Sequence, residues 1–330
     1  MSILQSVLGN FLTFIMAIVI TAVPYAGFEL PLIDNVKDDC NLTAELISDV
    51  HIEKNEIIRK IFLAAGLTNL RGAIADVDTV VVAGDLTNYA DEPALADYYK
   101  LIGKYSPVPV ISAAGNHDIG HVGDKGVTDI SREEAKANFI KYNNEYMGIN
   151  AEESYYTTEV NGYKFIILGD DVIDGGHWDG ITISEKQLEF LDRELASAKG
   201  EPVFVCCHWC VDGINGQELI YPDSPIELDK NDIKSVMEKY SNVFYISGHI
   251  HGGIKSKLAA KVCDMANVEQ VNGVTYVSLP SYGILNTFGH PWSATGIQME
   301  VYDDEIIFRP RNFITNKWFT NAVYRVELAK

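Results

Sequence analysis

Histidine, aspartate and asparagine recur in five short segments whose side chains are suited to binding metal ions. Each segment follows a run of apolar, β-branched residues, which predicts a buried strand that ends just before it. The carboxyl ends of strands gather at one edge of an open α/β sheet, so we expect these side chains to share one site. The segments are Asp49-Val50-His51, Gly84-Asp85, Gly115-Asn116-His117-Asp118, His208 and Gly248-His249-Ile250-His251.

The donor types in these segments indicate the kind of metal. Carboxylate and amide oxygens beside neutral imidazoles suit divalent ions such as Mn, Fe, Zn or Co, whereas a structural zinc site would favour thiolates. Cys207-His208-Trp209-Cys210 matches the spacing of a C-x-x-C redox motif, but it ends a predicted strand and encloses His208. We therefore interpret these cysteines as small apolar residues packed beside the site.

In this order and spacing, the five segments resemble the calcineurin-like metallophosphoesterase family over about residues 43 to 255. The resemblance implies an α/β fold, namely an αββα sandwich of two mixed β-sheets flanked by helices. It also implies two divalent metal ions bridged by Asp85. The ligands implied for the first ion are Asp49, His51 and His251, and those for the second are Asn116, His208 and His249.

The family chemistry assigns roles to the remaining polar residues. Two cations and a metal-bridging hydroxide nucleophile hydrolyse a phosphoester bond, with Asp85 and His117 as catalytic residues. His117 would face the phosphate and protonate or stabilise the leaving oxygen. Many relatives orient this histidine with an acidic residue three positions after the bridging aspartate, where this chain has Asn88. We expect Asn88 to lie with His117 at the substrate, which would leave His117 dependent on Asp118 or on substrate charge.

Several functions are compatible with this pattern. A single aspartate after a strand is commonly a turn or capping residue, but five of the eight histidines also fall in the five segments. The sequence predicts hydrolysis of a phosphomonoester or a small phosphodiester. A catalytically reduced metal-binding interaction module of the same fold, or a nuclease, is the alternative. The net charge of −20, without a run of Lys or Arg, favours a small phosphorylated substrate over nucleic acid.

The N-terminal segment is uncharged up to Glu29 and mostly apolar. Residues 1–33 are predicted to be a signal peptide or a membrane anchor, with membrane association through residues 3–26. The protein is then exported, in the cell envelope or membrane-anchored, and a cytoplasmic location is the alternative. No Lys or Arg precedes the apolar core, and no clean small-x-small cleavage site follows it. A buried N-terminal helix is therefore the alternative interpretation of this segment.

Residues 38–330 are predicted to form one metallophosphoesterase domain with a β-rich C-terminal part from about residue 270. Helical periodicity and capping predict helices at 55–67, 94–104, 132–142, 184–198 and 232–239. Alternating patterns predict strands at 274–278, 296–301, 305–309 and 322–328, with a hairpin turn at Asp303-Asp304. Four long loops could contact a leaving group, at 120–128, 170–180, 209–225 and 281–292. Their candidate contact residues are His121, His177, Trp178, Trp209, Tyr282 and His290.

Overall fold

The computed structural model describes residues 30–31, 39–73, 77–119, 130–171, 181, 183–216, 233–263 and 265–330. Most of the predicted N-terminal apolar segment lies outside these residues, as do the candidate contacts His121, His177 and Trp178. Within the described ranges, no helix is both long enough and apolar enough to cross a membrane.

Two β-sheets form the centre of the molecule. The eight-stranded sheet has the order β1 (Leu30–Pro31), β13 (Lys317–Trp318), β12 (Glu305–Asn312), β11 (Thr295–Val301), β2 (Leu42–Ile47), β3 (Thr79–Ala83) and β4 (Val110–Ala113), with β14 (Tyr324–Glu327) also on β12. The six-stranded sheet has the order β5 (Tyr156–Val160), β6 (Tyr163–Ile167), β7 (Val203–Cys206), β8 (Val243–Ser247), β10 (Val274–Ser278) and β9 (Val268–Val271). Strands β2 to β4 are parallel, as are β6, β7, β8 and β10, and the other pairs are antiparallel.

Helices cover the outer faces of the sheets. They are α1 (Ile58–Ala73), α2 (Glu92–Tyr105), α3 (Arg132–Met147), α4 (Glu185–Ser197), α5 (Ile233–Met237) and α6 (Lys257–Cys263), and a 3-10 turn spans Thr320–Ala322. The first five correspond to predicted helices. Helix α1 begins later than predicted because the Glu56 carboxylate accepts hydrogen bonds from the backbone nitrogens of Ile58 and Arg59.

Ser184-x-x-Gln187 has the sequence of a capping box at the start of α4, but only half of the box is formed. Ser184 Oγ accepts a bond from Gln187 N at 3.1 Å, as expected. The Gln187 side chain instead bonds the backbone of Gly169, to its nitrogen at 3.0 Å and its oxygen at 2.8 Å. Gln187 therefore ties α4 to the loop after β6, a contact that sequence spacing does not reveal.

The strands alternate their side chains between two apolar layers. Leu46 of β2 is buried in one cluster with Phe204 of β7 and Phe244 of β8, so this layer lies between the sheets. Val80 of β3 is buried with Leu63 of α1 in the layer that joins sheet to helix. This arrangement of two mixed sheets between helices confirms the predicted fold class.

The C-terminal strands complete both sheets. Strands β9 and β10 belong to the six-stranded sheet, whereas β11 to β14 belong to the eight-stranded sheet. The predicted hairpin turn joins β11 to β12, with Val301 paired to Ile306. Two further hairpins, β5–β6 and β9–β10, turn at Asn161-Gly162 and Asn272-Gly273, all at positive φ. Asn-Gly is a strong hairpin signal, so these strands could have been predicted.

Candidate metal centre

The predicted ligands come from the carboxyl ends of strands in both sheets. Asp49, Asp85 and Asn116 follow β2, β3 and β4 of the eight-stranded sheet, and His208 and His249 follow β7 and β8 of the six-stranded sheet. The parallel strands of the two sheets end on the same side of the sandwich. Residues far apart in the chain therefore meet in one buried cluster.

Four of the predicted ligands converge closely. The ligand atoms of Asp49, His51, Asp85 and His251 all lie within 4.8 Å of one another. His51 Nε2 is 3.2 Å from His251 Nε2 and 3.6 Å from Asp85 Oδ2. His251 Nε2 is 2.9 Å from Asp49 Oδ1. These are the three ligands predicted for a first metal ion together with the predicted bridge.

A second group of donor atoms adjoins the first through Asp85. Asp85 Oδ2 is 3.2 Å from His208 Nε2, and His208 Nε2 is 3.2 Å from His249 Nδ1. Asn116 is buried and lies between Gly115 and His117, both of which contact Asp85. Asp85 is thus the residue common to both groups of donors.

Backbone contacts fix the orientation of these side chains. His208 Nδ1 donates to the Ala83 carbonyl at 2.7 Å, which leaves Nε2 as the nitrogen that faces Asp85. A Cβ on Gly115 would overlap the backbone nitrogen of Asp85, and one on Gly248 would overlap Ser48 Oγ. The glycines of the third and fifth segments are therefore needed because the ligand loops approach each other closely.

The ligand residues adopt an unusual backbone conformation. Left-handed φ costs a non-glycine residue about 1 kcal/mol or more, and such residues are concentrated at functional sites. The ligands with positive φ are Asp49 at 56°, His51 at 54°, Asp85 at 50°, His249 at 72° and His251 at 44°. The positive φ turns the backbone sharply after each strand, so that the ligand side chains point toward a common centre.

The electrostatics of the cluster favour cation binding. Burial works to raise the pKa of Asp49, but the nearby His251 outweighs it and holds that pKa at about 2. Burial lowers the pKa of His51 to about 3 and that of His249 to about 4. Burial also disfavours charge on His208, but the Asp85 carboxylate raises its pKa to about 9. At neutral pH the Asp49 carboxylate is thus ionised and the His51 and His249 imidazoles are neutral, the forms that bind metal, whereas His208 would release its proton on binding a cation.

The donor set fits divalent cations. Two pairs of imidazole nitrogens face each other at 3.2 Å beside buried carboxylate oxygens, so lone pairs converge on small volumes from several directions. A neutral imidazole has only one N–H, and a cation satisfies such convergent lone pairs better than a shared proton. The Asp/His cluster is a candidate metal site on this geometry.

His117 lies next to the ligands. Its backbone nitrogen donates to Asp85 Oδ1 at 3.0 Å, and its ring meets the His51 ring edge-on at 4.8 Å between centroids. Its Nδ1 is 2.7 Å from the backbone oxygen of Asn88. Because a carbonyl can only accept, Nδ1 carries a proton and Nε2 is the nitrogen left for other contacts.

The position of Asn88 differs from the sequence expectation. We expected its side-chain amide to contact His117, but the contact is made by its backbone carbonyl. The amide Nδ2 instead donates to Glu53 Oε1 at 2.7 Å, and Glu53 Oε1 also accepts from Arg59 at 2.9 Å. Any residue type can supply a backbone carbonyl, so the replacement of an acidic residue leaves the histidine with a hydrogen-bond acceptor. Sequence reasoning did not identify Glu53 or Arg59.

Asp118 has a different role from the one considered for it. Its carboxylate accepts bonds from the backbone nitrogens of Leu86, Thr87 and Gly115, at 3.0, 2.7 and 2.8 Å, and from Thr87 Oγ1 at 2.9 Å. It therefore joins the loop after β3 to the loop after β4. Asp118 positions the Asp85 and Asn116 segments relative to each other.

The remaining candidates are mainly packing residues. Trp209, Tyr282 and His290 are buried, with the Tyr282 hydroxyl donating to the Phe62 carbonyl at 2.9 Å. Cys207 and Cys210 are buried free thiols, and burial raises the pKa of Cys207 to about 11. A thiol with a raised pKa is a poor nucleophile, which agrees with the packing interpretation.

Comparison with known proteins places this site in a family. The sequence profile of the calcineurin-like phosphoesterases matches residues 46–253, which include all the predicted ligands. The chain belongs to this family, and its Asp/His cluster is the candidate metal site of a metallophosphoesterase. A search of curated proteins gave no match.

The fold is similar to that of a solved phosphatase structure. The purple acid phosphatase PPD1 from yellow lupin (Lupinus luteus) seeds is 17% identical, with a TM-score of 0.59, over 87% of this chain and 53% of that chain. The present chain therefore spans about half of that enzyme. The sulfate thiohydrolase SoxB of Thermus thermophilus is 11% identical (TM-score 0.40, 91% of this chain and 58% of that chain). A Vps29 mutant from Entamoeba histolytica is 12% identical (TM-score 0.36, 87% and 100%).

Proposed function

We propose that the protein is a metal-dependent hydrolase of phosphoester bonds that holds two divalent cations, such as Mn, Fe, Zn or Co. The observation that supports this is the position of Asp85 between two groups of donors. Asp85 Oδ2 is 3.6 Å from His51 Nε2 and 3.2 Å from His208 Nε2. A carboxylate placed in this way can bind one cation on each side.

Six further residues complete the two donor groups. Asp49, His51 and His251 would hold one cation with Asp85, and Asn116, His208 and His249 would hold the other. When bound, the cations neutralise phosphoryl oxygens and lower the pKa of the attacking water. The neutral amide of Asn116 adds an oxygen ligand without a charge that would repel the phosphate.

His117 is the proposed acid for the leaving group. Its Nδ1–H is held by the Asn88 carbonyl, so the imidazolium form presents its second proton at Nε2. From beside Asp85 and His51, that proton can move to the oxygen of the departing alcohol. The backbone bond from His117 N to Asp85 Oδ1 keeps the acid and the bridging carboxylate in a fixed relation.

The proposed substrate is a phosphomonoester or a small phosphodiester. The net charge of −20 argues against a polyanion such as nucleic acid, because attraction at long range would be absent. Short-range attraction by the cations would then dominate binding of a small ester. Raising the salt concentration should accordingly change the KM of a small ester only modestly.

Metal analysis and hydrolysis assays test the proposal together. The purified protein should contain up to two divalent cations per chain and hydrolyse p-nitrophenyl phosphate or bis(p-nitrophenyl) phosphate. Chelation should remove this activity, and added Mn should restore it. Tight metal binding without turnover of any mono- or diester would instead support the catalytically reduced module. Efficient degradation of single-stranded DNA would support the nuclease.

A further inference from the structure

Large exposed apolar side chains lie mainly on three neighbouring segments of the chain. In the described part of the chain, seven such side chains are found, and all but Leu258 lie on three segments. The segments are residues 57–61 at the start of α1, the loop 281–294, and the turn that follows β12. We call the six side chains the apolar rim: Ile57, Ile58, Ile61, Leu285, Trp292 and Ile314, which are 41% to 67% exposed. Clusters of this kind commonly mark interaction surfaces.

The three segments meet at one buried residue, Tyr282. Its hydroxyl donates to the Phe62 carbonyl in α1 at 2.9 Å, and its ring lies 5.7 Å from the Phe313 ring. Its carbonyl accepts from Ala294 N at 2.7 Å, and the Ala294 carbonyl accepts from Phe313 N at 2.7 Å. The rim side chains therefore extend from neighbouring backbone segments that share one support.

The same support borders the candidate metal centre. Gly283 N donates to the Asp49 carbonyl at 2.9 Å, and Thr287 N donates to the His251 carbonyl at 2.9 Å. On the α1 side, Arg59 donates to the His51 carbonyl at 2.8 Å. A partner that covers the apolar rim would therefore lie against the ligand loops.

The charge around the rim differs from that of the whole protein. The chain carries a net charge of −20, whereas residues 57–62, 281–294 and 312–316 contain only Arg59 and Lys60 as charged residues, and these pair with Glu53 and Asp97 at 2.9 and 2.6 Å. A phospholipid surface presents phosphates above an apolar interior, and tryptophan is enriched where these regions meet. The rim combines apolar side chains with an exposed Trp292, which suits such a surface.

The sequence before β1 is a second feature that fits a membrane surface. Residues 1–28 carry no charged side chain. They lead into β1, where Leu30 pairs with Trp318 and Pro31 with Lys317. Ile314 of the rim is only three residues before Lys317. Stable attachment to a membrane usually needs two signals, and here an uncharged segment joins the fold close to an apolar surface.

We propose that the apolar rim docks on a phospholipid bilayer, so that the phosphoester taken by the metal centre is carried by a lipid. The second part rests on the proposed hydrolase function, whereas the docking does not. A substrate headgroup would then enter from the membrane side, next to the Asp49 and His251 loops. This docking uses the rim as an interface in addition to any attachment through residues 1–28.

Fluorescence of Trp292 tests the docking directly in the full-length chain. Vesicles of phosphatidylcholine with brominated acyl chains should quench the intrinsic fluorescence, because bromine acts only within the bilayer. In a Trp178→Phe background, Trp292→Phe should remove most of this quenching, since the two remaining tryptophans, Trp209 and Trp318, are buried in the protein. Equal quenching with and without Trp292→Phe in this background would overturn the proposal, as would no quenching in either protein. This signal reports the rim even if residues 1–28 hold the protein on the vesicle.

A matched set of variants tests the other rim residues. The combined substitution Ile58→Gln, Ile61→Gln and Leu285→Asn should reduce quenching of Trp292 at least ~3-fold, because each change removes apolar surface from the contact. Leu258→Gln is the control, since Leu258 is 59% exposed but lies on α6 outside the rim. Equal effects of the combined variant and the control would contradict docking through the rim. In the absence of vesicles, a lower sedimentation coefficient for the combined variant than for the wild type would show that a second copy of the chain covers the rim.

Paired substrates separate this proposal from the hydrolase function. With Mn present, the combined variant should hydrolyse p-nitrophenyl phosphate like the wild type but lose ~10-fold or more on phosphatidic acid in vesicles. The corresponding diester pair is bis(p-nitrophenyl) phosphate and vesicular phosphatidylethanolamine. No turnover of any ester by the wild type would reject the hydrolase function, while the quenching result still decides the docking. Equal activity of both proteins on the lipid esters would overturn the proposed lipid substrate.

Discussion

Two buried polar clusters in this protein satisfy their charges in different ways. In the strands β2, β11 and β12, Arg311 donates to Glu45 at 3.0 Å and Arg309 donates to Glu300 at 2.7 Å, so carboxylates and guanidinium groups balance each other. All four residues lie in regular strands. At the metal centre, carboxylates and imidazoles converge from strand ends with positive φ.

The comparison separates a cluster that supplies its own counter-charges from a cluster that could bind a cation. The strand cluster brings its own counter-charges, so its contribution is to the fold and is independent of metal. The candidate metal centre instead accumulates donor atoms and backbone strain that a bound cation would offset. Changes in the two clusters should therefore have separable effects, on folding in the first case and on metal binding and turnover in the second.

The largest effect is expected for Asp85→Asn at the metal centre. Because Asp85 is common to both donor groups, the change should release one or both cations. Turnover should fall by more than the ~100-fold typical of losing a residue that only supports a ligand. The fold should persist, since Asp85 follows β3 and contributes no apolar packing. Metal content, kcat/KM and circular dichroism provide the measurement, and full activity with two cations retained would contradict the assignment of Asp85.

The opposite pattern is expected for Arg311→Met. Removing the guanidinium leaves Glu45 buried without its partner, which typically costs about 3–5 kcal/mol in the free energy of unfolding. The metal content of the folded protein should stay unchanged. Arg325→Met is the control, because its pair with Glu305 is half exposed and should contribute below ~1 kcal/mol. Urea titration and metal analysis of both variants provide the measurement. Loss of cations from folded Arg311→Met would contradict the separation of the two clusters.

The pH dependence of stability sharpens the description of the strand cluster. Burial, partly opposed by Arg311, raises the pKa of Glu45 from 4.5 to about 7. Because its pKa is raised in the folded state, the protonated Glu45 carboxyl increases the free energy of unfolding. This contribution is complete below pH 4.5 and is lost as the pH rises through about 7. Glu45→Gln should therefore gain on the order of 3 kcal/mol relative to the wild type across this window. Denaturant titrations of Glu45→Gln and the wild type at several pH values measure this gain.

His117→Ala should affect the chemistry while leaving the cations in place. If His117 protonates the leaving oxygen, an alkyl phosphate should lose ~10²-fold or more in kcat/KM, the usual scale for general acid catalysis. p-Nitrophenyl phosphate should lose much less, because its leaving group departs with little help. Unequal losses with unchanged metal content would support the role of acid. Equal losses on both esters would show that His117 only positions the phosphate.

The smallest effect is expected for Asn88→Asp. A carboxylate here would lie beside Glu53, to which the amide now donates at 2.7 Å, and not beside His117. We expect a loss of stability below ~1 kcal/mol and an unmoved alkaline limb of the rate profile. Asn88→Ala is the control, because it retains the backbone carbonyl that binds His117 Nδ1. An upward shift of the alkaline limb in Asn88→Asp alone would show that the side chain does reach the histidine.

Much of the fold was predictable because its signals are local. Periodicity and capping residues predicted five helices, including α3 after Ser131 and α4 after Ser184. The β5–β6 hairpin was missed although Asn161-Gly162 marks its turn. Helix α6 and the side-chain contact of Gln187 with Gly169 were not predictable in the same way, because they depend on packing against distant parts of the chain.

For the metal centre, the sequence by itself determined which residue types follow which strands. That was sufficient to bring Asp49, His51, Asp85, Asn116, His208, His249 and His251 to one edge, because parallel strands place their carboxyl ends together. Only the tertiary structure decided that Asp118 joins two ligand loops and that Asn88 serves His117 through its carbonyl. Only the tertiary structure gathered the apolar rim around Tyr282. These features depend on the directions of individual side chains and on contacts between residues 29 to 220 positions apart. The packing of the two sheets sets these contacts, and a linear pattern does not.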